Sequence, residues 1–214
     1  MSDNEFLPEP LPHEPFALFG QWFATAHQHA AQPNPNAMVL ATVDAAGLPQ
    51  ARVVLCKLWS ADPGHIVFFT NYLSHKGRQL AAHPRAAAVF HWDALHRQVR
   101  MTGPVVKSPE PESDEYFAIR PLVNRIGAWA SNQSQPLASR AQLSTQVKEA
   151  ERRFGDQVPR PPHWGGFRLW PETVELWLEG PGRVHDRALW TRKVSPRDEF
   201  TFDCGTWSAT RLNP

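Results

Sequence analysis

The sequence has few cysteines and no long apolar run. Its two cysteines, Cys56 and Cys204, are far apart and lack partners at metal-ligand spacing, so it contains neither a disulfide framework nor a zinc motif. No stretch reaches the roughly 18 apolar residues of a membrane-spanning helix, and residues 1–15 lack the apolar core of a signal peptide. Together these absences predict a cytoplasmic protein that works in a reducing compartment, without a membrane partner.

The sequence also lacks an excess of charge of either sign. There are 22 lysines and arginines against 21 aspartates and glutamates, a formal net charge of +1. This balance disfavours bulk electrostatic binding to nucleic acid or to an acidic membrane. Any anion must therefore be held by a few well-placed cations.

The order of the predicted elements favours an α+β fold made mainly of β-strands. No regular βαβ rhythm and no GxGxxG motif is found, so a barrel-like antiparallel fold is expected instead of a parallel doubly wound sheet. The chain is expected to form one domain, 1–214, with 1–15 as a flexible leader. Strands are predicted at 38–43, 52–58, 66–70, 86–92, 97–102, 166–170, 173–178, 183–190 and in a last pair ending at 212, and helices at 16–31, after 74, at 108–121 and at 139–154.

Residues 74–78, Ser-His-Lys-Gly-Arg, place cations in the first turn of a predicted helix. Cations there oppose the helix macrodipole, at a cost of about 0.3–1 kcal/mol. An anion docked on the free N–H groups would turn that cost into an attraction. The segment therefore indicates an anion site, with a solvated basic turn as the alternative.

Residues 183–187 alternate basic side chains along a predicted strand. In a strand, alternate side chains share a face, so Arg183, His185 and Arg187 are expected to point the same way. Three such groups repel one another unless they face water or a shared anion, and both interpretations stay open. The glycines at 180 and 182 would allow close approach of the backbone.

Two further pairs could bind phosphate. Tyr116 and Arg120 lie four residues apart on a predicted helix and would offer a phenol and a guanidinium to one ligand, although such pairs are common by chance. Arg52 and Lys57 have opposite parity along their strand, so without a bulge they reach different sides. Since the sequence has no P-loop, HExxH or CxxC motif and no nucleophile elbow, we expect phosphate binding beside aromatic walls and no bound metal.

A series of short motifs falls in order along the chain. They are AMVLATV at 37–43, RVVLCK at 52–57, FTN at 69–71, SHK at 74–76, RQV at 97–99, YFAIRP at 116–121, IGAW at 126–129, QS at 133–134, FR at 167–168, W at 177, RVHDR at 183–187 and RLNP at 211–214. From about residue 11 to the C-terminus, this series resembles the pyridoxamine 5′-phosphate oxidase family.

The resemblance implies an FMN-binding split β-barrel with flanking and inserted helices. It also implies a homodimer with FMN at the subunit interface. The implied FMN contacts are Arg52, Val53, Val54, Leu55, Cys56, Lys57, Phe69, Thr70, Lys76, Gln98, Gln133, Ser134, Trp177 and Arg187. The implied substrate contacts are Lys57, Tyr116, Arg120, Arg183, Val184 and His185, with Arg183 and His185 as the catalytic residues over the pyridine ring.

The implied activity is oxidation of pyridoxine or pyridoxamine 5′-phosphate to pyridoxal 5′-phosphate. Dioxygen would be the electron acceptor, and hydrogen peroxide, with ammonia from the amine, would be released. Two alternatives remain open: a split-barrel flavin oxidase for another substrate, such as a phenazine precursor, and a non-catalytic module that binds flavin or pyridoxal phosphate.

Three features depart from the family pattern. His75 stands where an arginine usually meets the flavin phosphate, and a partly charged histidine predicts weaker FMN retention as pH rises. Asn124 replaces a phosphate-binding serine; its amide still donates hydrogen bonds but is bulkier. The family's longer leader, with an Arg-x-x-Tyr element, is expected to be absent.

Overall fold

The computed structural model describes residues 6–29 and 32–214. The α-helices are α1 (Phe16–Gln28), α2 (His75–Ala82), α3 (Glu110–Ala118), α4 (Leu122–Ala130) and α5 (Arg140–Phe154). The strands are β1 (Ala37–Val43), β2 (Pro49–Ser60), β3 (His65–Asn71), β4 (Arg85–Trp92), β5 (Arg97–Lys107), β6 (Trp164–Leu169), β7 (Thr173–Leu178), β8 (Asp186–Thr191), β9 (Val194–Pro196), β10 (Phe202–Cys204) and β11 (Ser208–Leu212). No helix among the described residues is long and apolar enough to cross a membrane.

Six antiparallel strands close into a barrel. Their order is β5-β4-β1-β2-β3-β6, and β5 closes the ring because it pairs with β4 along one part and with β6 along another. Beyond β5, the strands β7, β8 and β11 continue the sheet as an open wing. The predicted α+β class, mainly β, and the split-barrel architecture are confirmed.

The barrel core follows from alternation of apolar side chains along its strands. Leu40, Phe68, Phe90 and Met101 are fully buried, and burial of each contributes roughly 1.5–3 kcal/mol. Helix α1 seals one side, where the Phe19 ring centroid lies 5.3 Å from that of Phe90. The core thus fixes which side chains β2, β3 and β5 leave outside.

The predicted strand at 183–190 is wrong in its first part. Strand β8 begins only at Asp186, because Pro181–Arg183 forms a short 3₁₀ turn with Gly182 and Arg183 both at φ +63°. Strand alternation does not apply to such a turn, so the argument that Arg183, His185 and Arg187 share one strand face fails.

The helical middle also differs from the prediction. The segment 108–121 is not one helix: α3 ends at Ala118, and α4, which was not predicted, follows Pro121. The residue before a proline avoids helical backbone, which explains the break. Ser108 does not cap α3, whereas Ser139 caps α5 as its sequence suggests, accepting a hydrogen bond from the Gln142 N–H.

Smaller differences concern the ends of elements. Helix α1 ends at Gln28, short of the predicted 31, and residues 30 and 31 lie outside the described residues. Strand β6 begins two residues earlier than predicted, and the β9–β10 hairpin was not predicted. The predicted last strand, which ends at residue 212, is β11, and it pairs antiparallel with β8.

Candidate active site

Two adjoining cavities, of about 340 and 300 Å³, lie between the barrel and helices α3 and α4. Among the described residues that line them, three are cations and none is an aspartate or glutamate. They form one cleft because they share Phe69, Thr70, Arg120, Asn124, Gln133 and Trp164. The second cavity adds Val53, Val54, Leu55, Lys57, Lys76 and Tyr116, and the first adds Asn71, Val123, Gly127, Ala128 and Ser131.

An aromatic wall runs along this cleft. The rings of Phe69 and Tyr116 stack with centroids 4.0 Å apart and planes 18° apart. The indole of Trp164 stacks on Phe69 at 5.5 Å and 11°. Three nearly parallel rings from β3, α3 and β6 thus form a stacked apolar side to the cleft.

Arg120 lies over this wall without an anionic partner among the described residues. Its guanidinium carbon is 4.5 Å from the Trp164 ring centroid, and its buried Nη1 makes no hydrogen bond to them. Burial lowers the pKa of Arg120 and raises that of Tyr116. The prediction that Arg120 lies on the same helix as Tyr116 is wrong, because α3 ends at Ala118. The side chains of Tyr116 and Arg120 nevertheless line one cavity. A half-buried guanidinium with a buried donor left unpaired is suited to bind an anion.

Lys57 lines the same cavity as Val53 and Leu55, which have the same parity along β2. The pairing of β2 with β3 shifts register between Cys56 and Leu58, so a bulge lies at Lys57. Cys56 itself points into the core, and burial raises the pKa of its thiol to about 12. Its side chain therefore cannot contact a ligand in the cleft.

Lys76 is the most perturbed cation of the site. Its Nζ donates to Thr70 Oγ1 at 2.9 Å, to Ser74 Oγ at 3.2 Å and to Gln133 Oε1 at 3.3 Å. Burial, together with the neighbouring charge of Arg52, lowers the pKa of Lys76 to about 8. Since its described acceptors are neutral, an anionic ligand would restore the ordinary pKa.

Arg52 stands behind Lys76 and is held rigidly. It donates to the Leu40 carbonyl at 3.2 Å, to Thr42 Oγ1 at 2.6 Å and to Gln79 Oε1 at 2.9 Å. These acceptors are also neutral, and burial lowers the pKa of Arg52. Two neighbouring cations without a described counter-charge indicate an anion site beside α2.

The start of α2 is built as the sequence suggests. Ser74 caps it by accepting from the Gly77 N–H, and any side chain at position 77 would overlap the Tyr72 carbonyl. His75 is exposed and lines neither cavity. Lys76, rather than His75, therefore faces the cleft in this chain.

A second cluster lies on the open wing. Gln98, Trp177 and Arg187 are direct cross-strand partners on β5, β7 and β8, so they form one row on a single face. The His185 ring lies 4.6 Å from that of Trp177, and the exposed Arg183 and Val184 precede it in the loop. None of these residues lines the two cavities, so one chain does not bring the two clusters together.

Comparison with known proteins identifies the family. Residues 24–154 match the family described as pyridoxamine 5′-phosphate oxidase, and residues 164–214 match its pyridoxine 5′-phosphate oxidase C-terminal dimerisation region. This chain belongs to the pyridoxamine 5′-phosphate oxidase family. Membership in this family supports a flavin-dependent oxidoreductase.

Relatives cover nearly the whole chain. A pyridoxine/pyridoxamine 5′-phosphate oxidase of Paraburkholderia phytofirmans is 52% identical over 95% of this chain and 91% of its own, and that of Paraburkholderia xenovorans is 52% identical over 94% and 89%. The crystal structure of PhzG from Burkholderia lata, in complex with tetrahydrophenazine-1-carboxylic acid, matches with a TM-score of 0.87, 29% identity and full coverage of both chains. An FMN-binding protein of Nostoc punctiforme shares the fold, with a TM-score of 0.69, 17% identity and coverage of 92% of this chain and 96% of its own.

The two family segments divide the two clusters almost cleanly. The cations of the cleft lie within residues 24–154, whereas Trp177, Arg183, His185 and Arg187 lie within the dimerisation region. In this pyridoxamine 5′-phosphate oxidase family member, the second cluster thus lies mainly in the segment that matches the dimerisation region.

Sequence reasoning missed several residues of the site. Trp164 was assigned no role, although its place before two glycines at the start of a strand gave a weak signal. Asn71, Val123 and Ser131 also line the cleft. Ser134, predicted to contact FMN, has a φ of +70° and lines a separate cavity of about 190 Å³ next to the cleft, together with Gln133.

Gly180 provides a direct test of the second cluster. Its N–H donates to His185 Nδ1 at 3.3 Å, and a Cβ at this position would overlap the Val184 carbonyl oxygen. We expect Gly180→Ala to displace the 180–185 loop and to lower oxidase turnover about tenfold or more, with cofactor binding less affected. Gly205→Ala, where the added Cβ meets only ordinary contacts, is the matched control. Unchanged turnover in Gly180→Ala would show that the loop does not act in the reaction.

Proposed function

We propose that this chain is an FMN-dependent oxidase that converts pyridoxine or pyridoxamine 5′-phosphate to pyridoxal 5′-phosphate with dioxygen. The observation that carries the proposal is the cleft's charge pattern: Lys57, Lys76 and Arg120 line it without a carboxylate among the described lining residues. Such a cleft suits two phosphorylated planar molecules better than a neutral or cationic substrate.

The residues present fit FMN. Lys76 and Arg52, with only neutral described acceptors, would hold its phosphate near the start of α2, as would the adjacent Thr70. The backbone of residues 53–55 and the ring of Phe69 border the same cavity and would face the flavin. The printed name of the Nostoc punctiforme neighbour supports the barrel as a fold that can bind FMN.

The far side of the cleft fits the substrate phosphate. Arg120, Lys57 and the Tyr116 hydroxyl converge on the second cavity, and the Asn124 amide lines both cavities. The buried Nη1 of Arg120 has a free donor for this ligand among the described contacts. Pyridoxine and pyridoxamine phosphates share this group, so both would bind in the same way.

A homodimer would complete the site. Arg183, Val184 and His185 are solvent-accessible within the region matched to dimerisation, and they do not line their own chain's cleft. Val39 and Val53, directly paired on β1 and β2, are 40% and 64% exposed and would be covered by a partner. The second cluster of one chain would then face the cleft of the other.

The chemistry divides between cofactor and protein. Bound FMN would accept a hydride from the substrate's 4′ carbon and pass the electrons to dioxygen, giving hydrogen peroxide. The cleft's cations would fix the phosphate, so that the 4′ carbon is held at the flavin. Arg183 and His185 would hold the pyridine ring and stabilise charge during transfer.

A second candidate is a flavin oxidase acting on a phenazine precursor. The full-length likeness to PhzG, whose structure contains tetrahydrophenazine-1-carboxylic acid, favours it. That ligand carries a carboxylate but no phosphate, so it would engage fewer of the donor groups of Lys57, Tyr116 and Arg120. The substrate's dependence on phosphate separates the two candidates.

The experiment is a half-reaction with the purified protein loaded with FMN. Mixing it anaerobically with pyridoxine 5′-phosphate should bleach the flavin absorbance, and admitting air should restore it with pyridoxal 5′-phosphate formed. Dephosphorylated pyridoxine should bleach it far more slowly. If only tetrahydrophenazine-1-carboxylic acid bleaches the flavin, the second candidate is correct; if no ligand does while FMN stays bound, the chain is a binding module.

A further inference from the structure

Glu175 on β7 is a buried acid to which neither the family resemblance nor the cleft assigns a role. It lies on the same outer face as Trp177, two residues away, yet its side chain is only 9% exposed. It is buried because arginines on both neighbouring strands cover it. Buried carboxylates are rare unless they are paired, so its contacts define its purpose.

Both carboxylate oxygens of Glu175 are used. Oε1 accepts two hydrogen bonds from Arg187 on β8, from Nε at 3.0 Å and from Nη2 at 2.8 Å. Oε2 accepts from Arg100 Nη1 on β5 at 3.1 Å. Glu175 therefore ties together the three strands that carry the row Gln98–Trp177–Arg187.

Each of the three guanidinium nitrogens of Arg187 donates a hydrogen bond. Besides Glu175, it donates through Nη1 to the Asn213 carbonyl at 2.9 Å. Without Glu175, two arginines on adjacent strands would repel each other, and Arg187 could leave the row. With Glu175 present, the cluster Arg100–Glu175–Arg187 has a net charge of +1; without its carboxylate, the net charge would be +2.

We infer that Glu175 is a positioning residue for cofactor binding: it orients Arg187 and lowers the charge of the cluster Arg100–Glu175–Arg187 from two positive units to one, at the point where the wing would meet the flavin. This inference rests on the proposed function, since it takes FMN as the ligand of the row. Glu175 does not touch the ligand itself but acts through Arg187.

The test is a double-mutant cycle in which FMN binding is measured by the quenching of flavin fluorescence. Glu175→Gln should weaken FMN binding about tenfold. In a chain that also carries Arg187→Met, the same change should alter binding less than about twofold, because the residue through which Glu175 acts is gone. Glu175→Asp, which keeps the charge, should recover part of the affinity and the visible circular dichroism of the bound flavin.

Glu172→Gln serves as the matched control. Glu172 lies just before β7, pairs with Arg85 on β4 and has no recorded contact with the row, so its loss should leave FMN binding unchanged. The inference is overturned if Glu175→Gln binds FMN like the wild type, if its effect persists undiminished with Arg187→Met, or if Arg187→Met alone has no effect. A wild-type protein that does not bind FMN would overturn the proposed function and this inference together, whereas the other results leave the proposed function standing.

Discussion

Replacing Arg120 with glutamine is expected to raise KM for pyridoxine 5′-phosphate by about 10- to 100-fold, with a smaller change in kcat. The guanidinium lies over Trp164 with a buried donor available to the ligand. A charged hydrogen bond to phosphate contributes roughly 1.5–3 kcal/mol, which corresponds to that range. Steady-state kinetics over a wide substrate range measure the effect.

The increase in KM caused by Arg120→Gln should depend on the phosphate group of the substrate. Arg152→Gln, which removes a surface arginine paired with Glu149 on α5, should leave KM unchanged. The slow reaction of dephosphorylated pyridoxine should be nearly the same in the wild type and in Arg120→Gln. Equal losses with both substrates would mean that Arg120 supports the fold of the cleft and does not bind phosphate.

FMN binding is expected to weaken as pH rises above about 8. The pKa of Lys76 is lowered to about 8 by burial and by Arg52, so the free protein loses this cation in the mildly alkaline range. A bound phosphate favours the charged form and raises that pKa; binding therefore takes up a proton above pH 8. The dissociation constant should increase by up to about tenfold per pH unit until the pKa of the complex is reached.

Lys76→Arg is the control for this pH dependence. Arginine keeps its charge throughout this range, so the dissociation constant of FMN in the variant should change less with pH, between about pH 7.5 and 9.5, than in the wild type. A profile that is flat above pH 8 in the wild type would show that Lys76 does not meet the phosphate.

The sequence predicts the barrel well because its strands are short, apolar and mostly bounded by turns. It fails where local patterns compete with proline and glycine. Basic residues at alternate positions suggest a strand at 183–190, but the turn set by Pro181 and Gly182 delays β8 to Asp186. Helix α4 was missed because Pro121 was interpreted only as a helix end, although a proline also precedes many helix starts.

The site divides in the same way. Lys76 and Lys57 could be proposed from local patterns, and the structure brings both to one cleft with Arg120. The bulge of β2 at Lys57 has no sequence signal of its own, and the partners of Glu175 lie on two other strands. Contacts of this kind depend on strand pairing, which residue patterns alone do not determine.

The central claim is that each active site combines the cleft of one chain with the wing of another. Its most direct test is made at a substrate concentration near the wild-type KM, where each of two variants should be nearly inactive; it mixes Arg120→Gln with Lys57→Gln in one chain and Arg183→Gln with His185→Asn in the other. After the subunits are exchanged, mixed dimers contain one intact site, so oxidase activity should recover to roughly a quarter of the wild-type value. Activity that stays at the level of the separate variants, although mixed dimers have formed, would contradict the account.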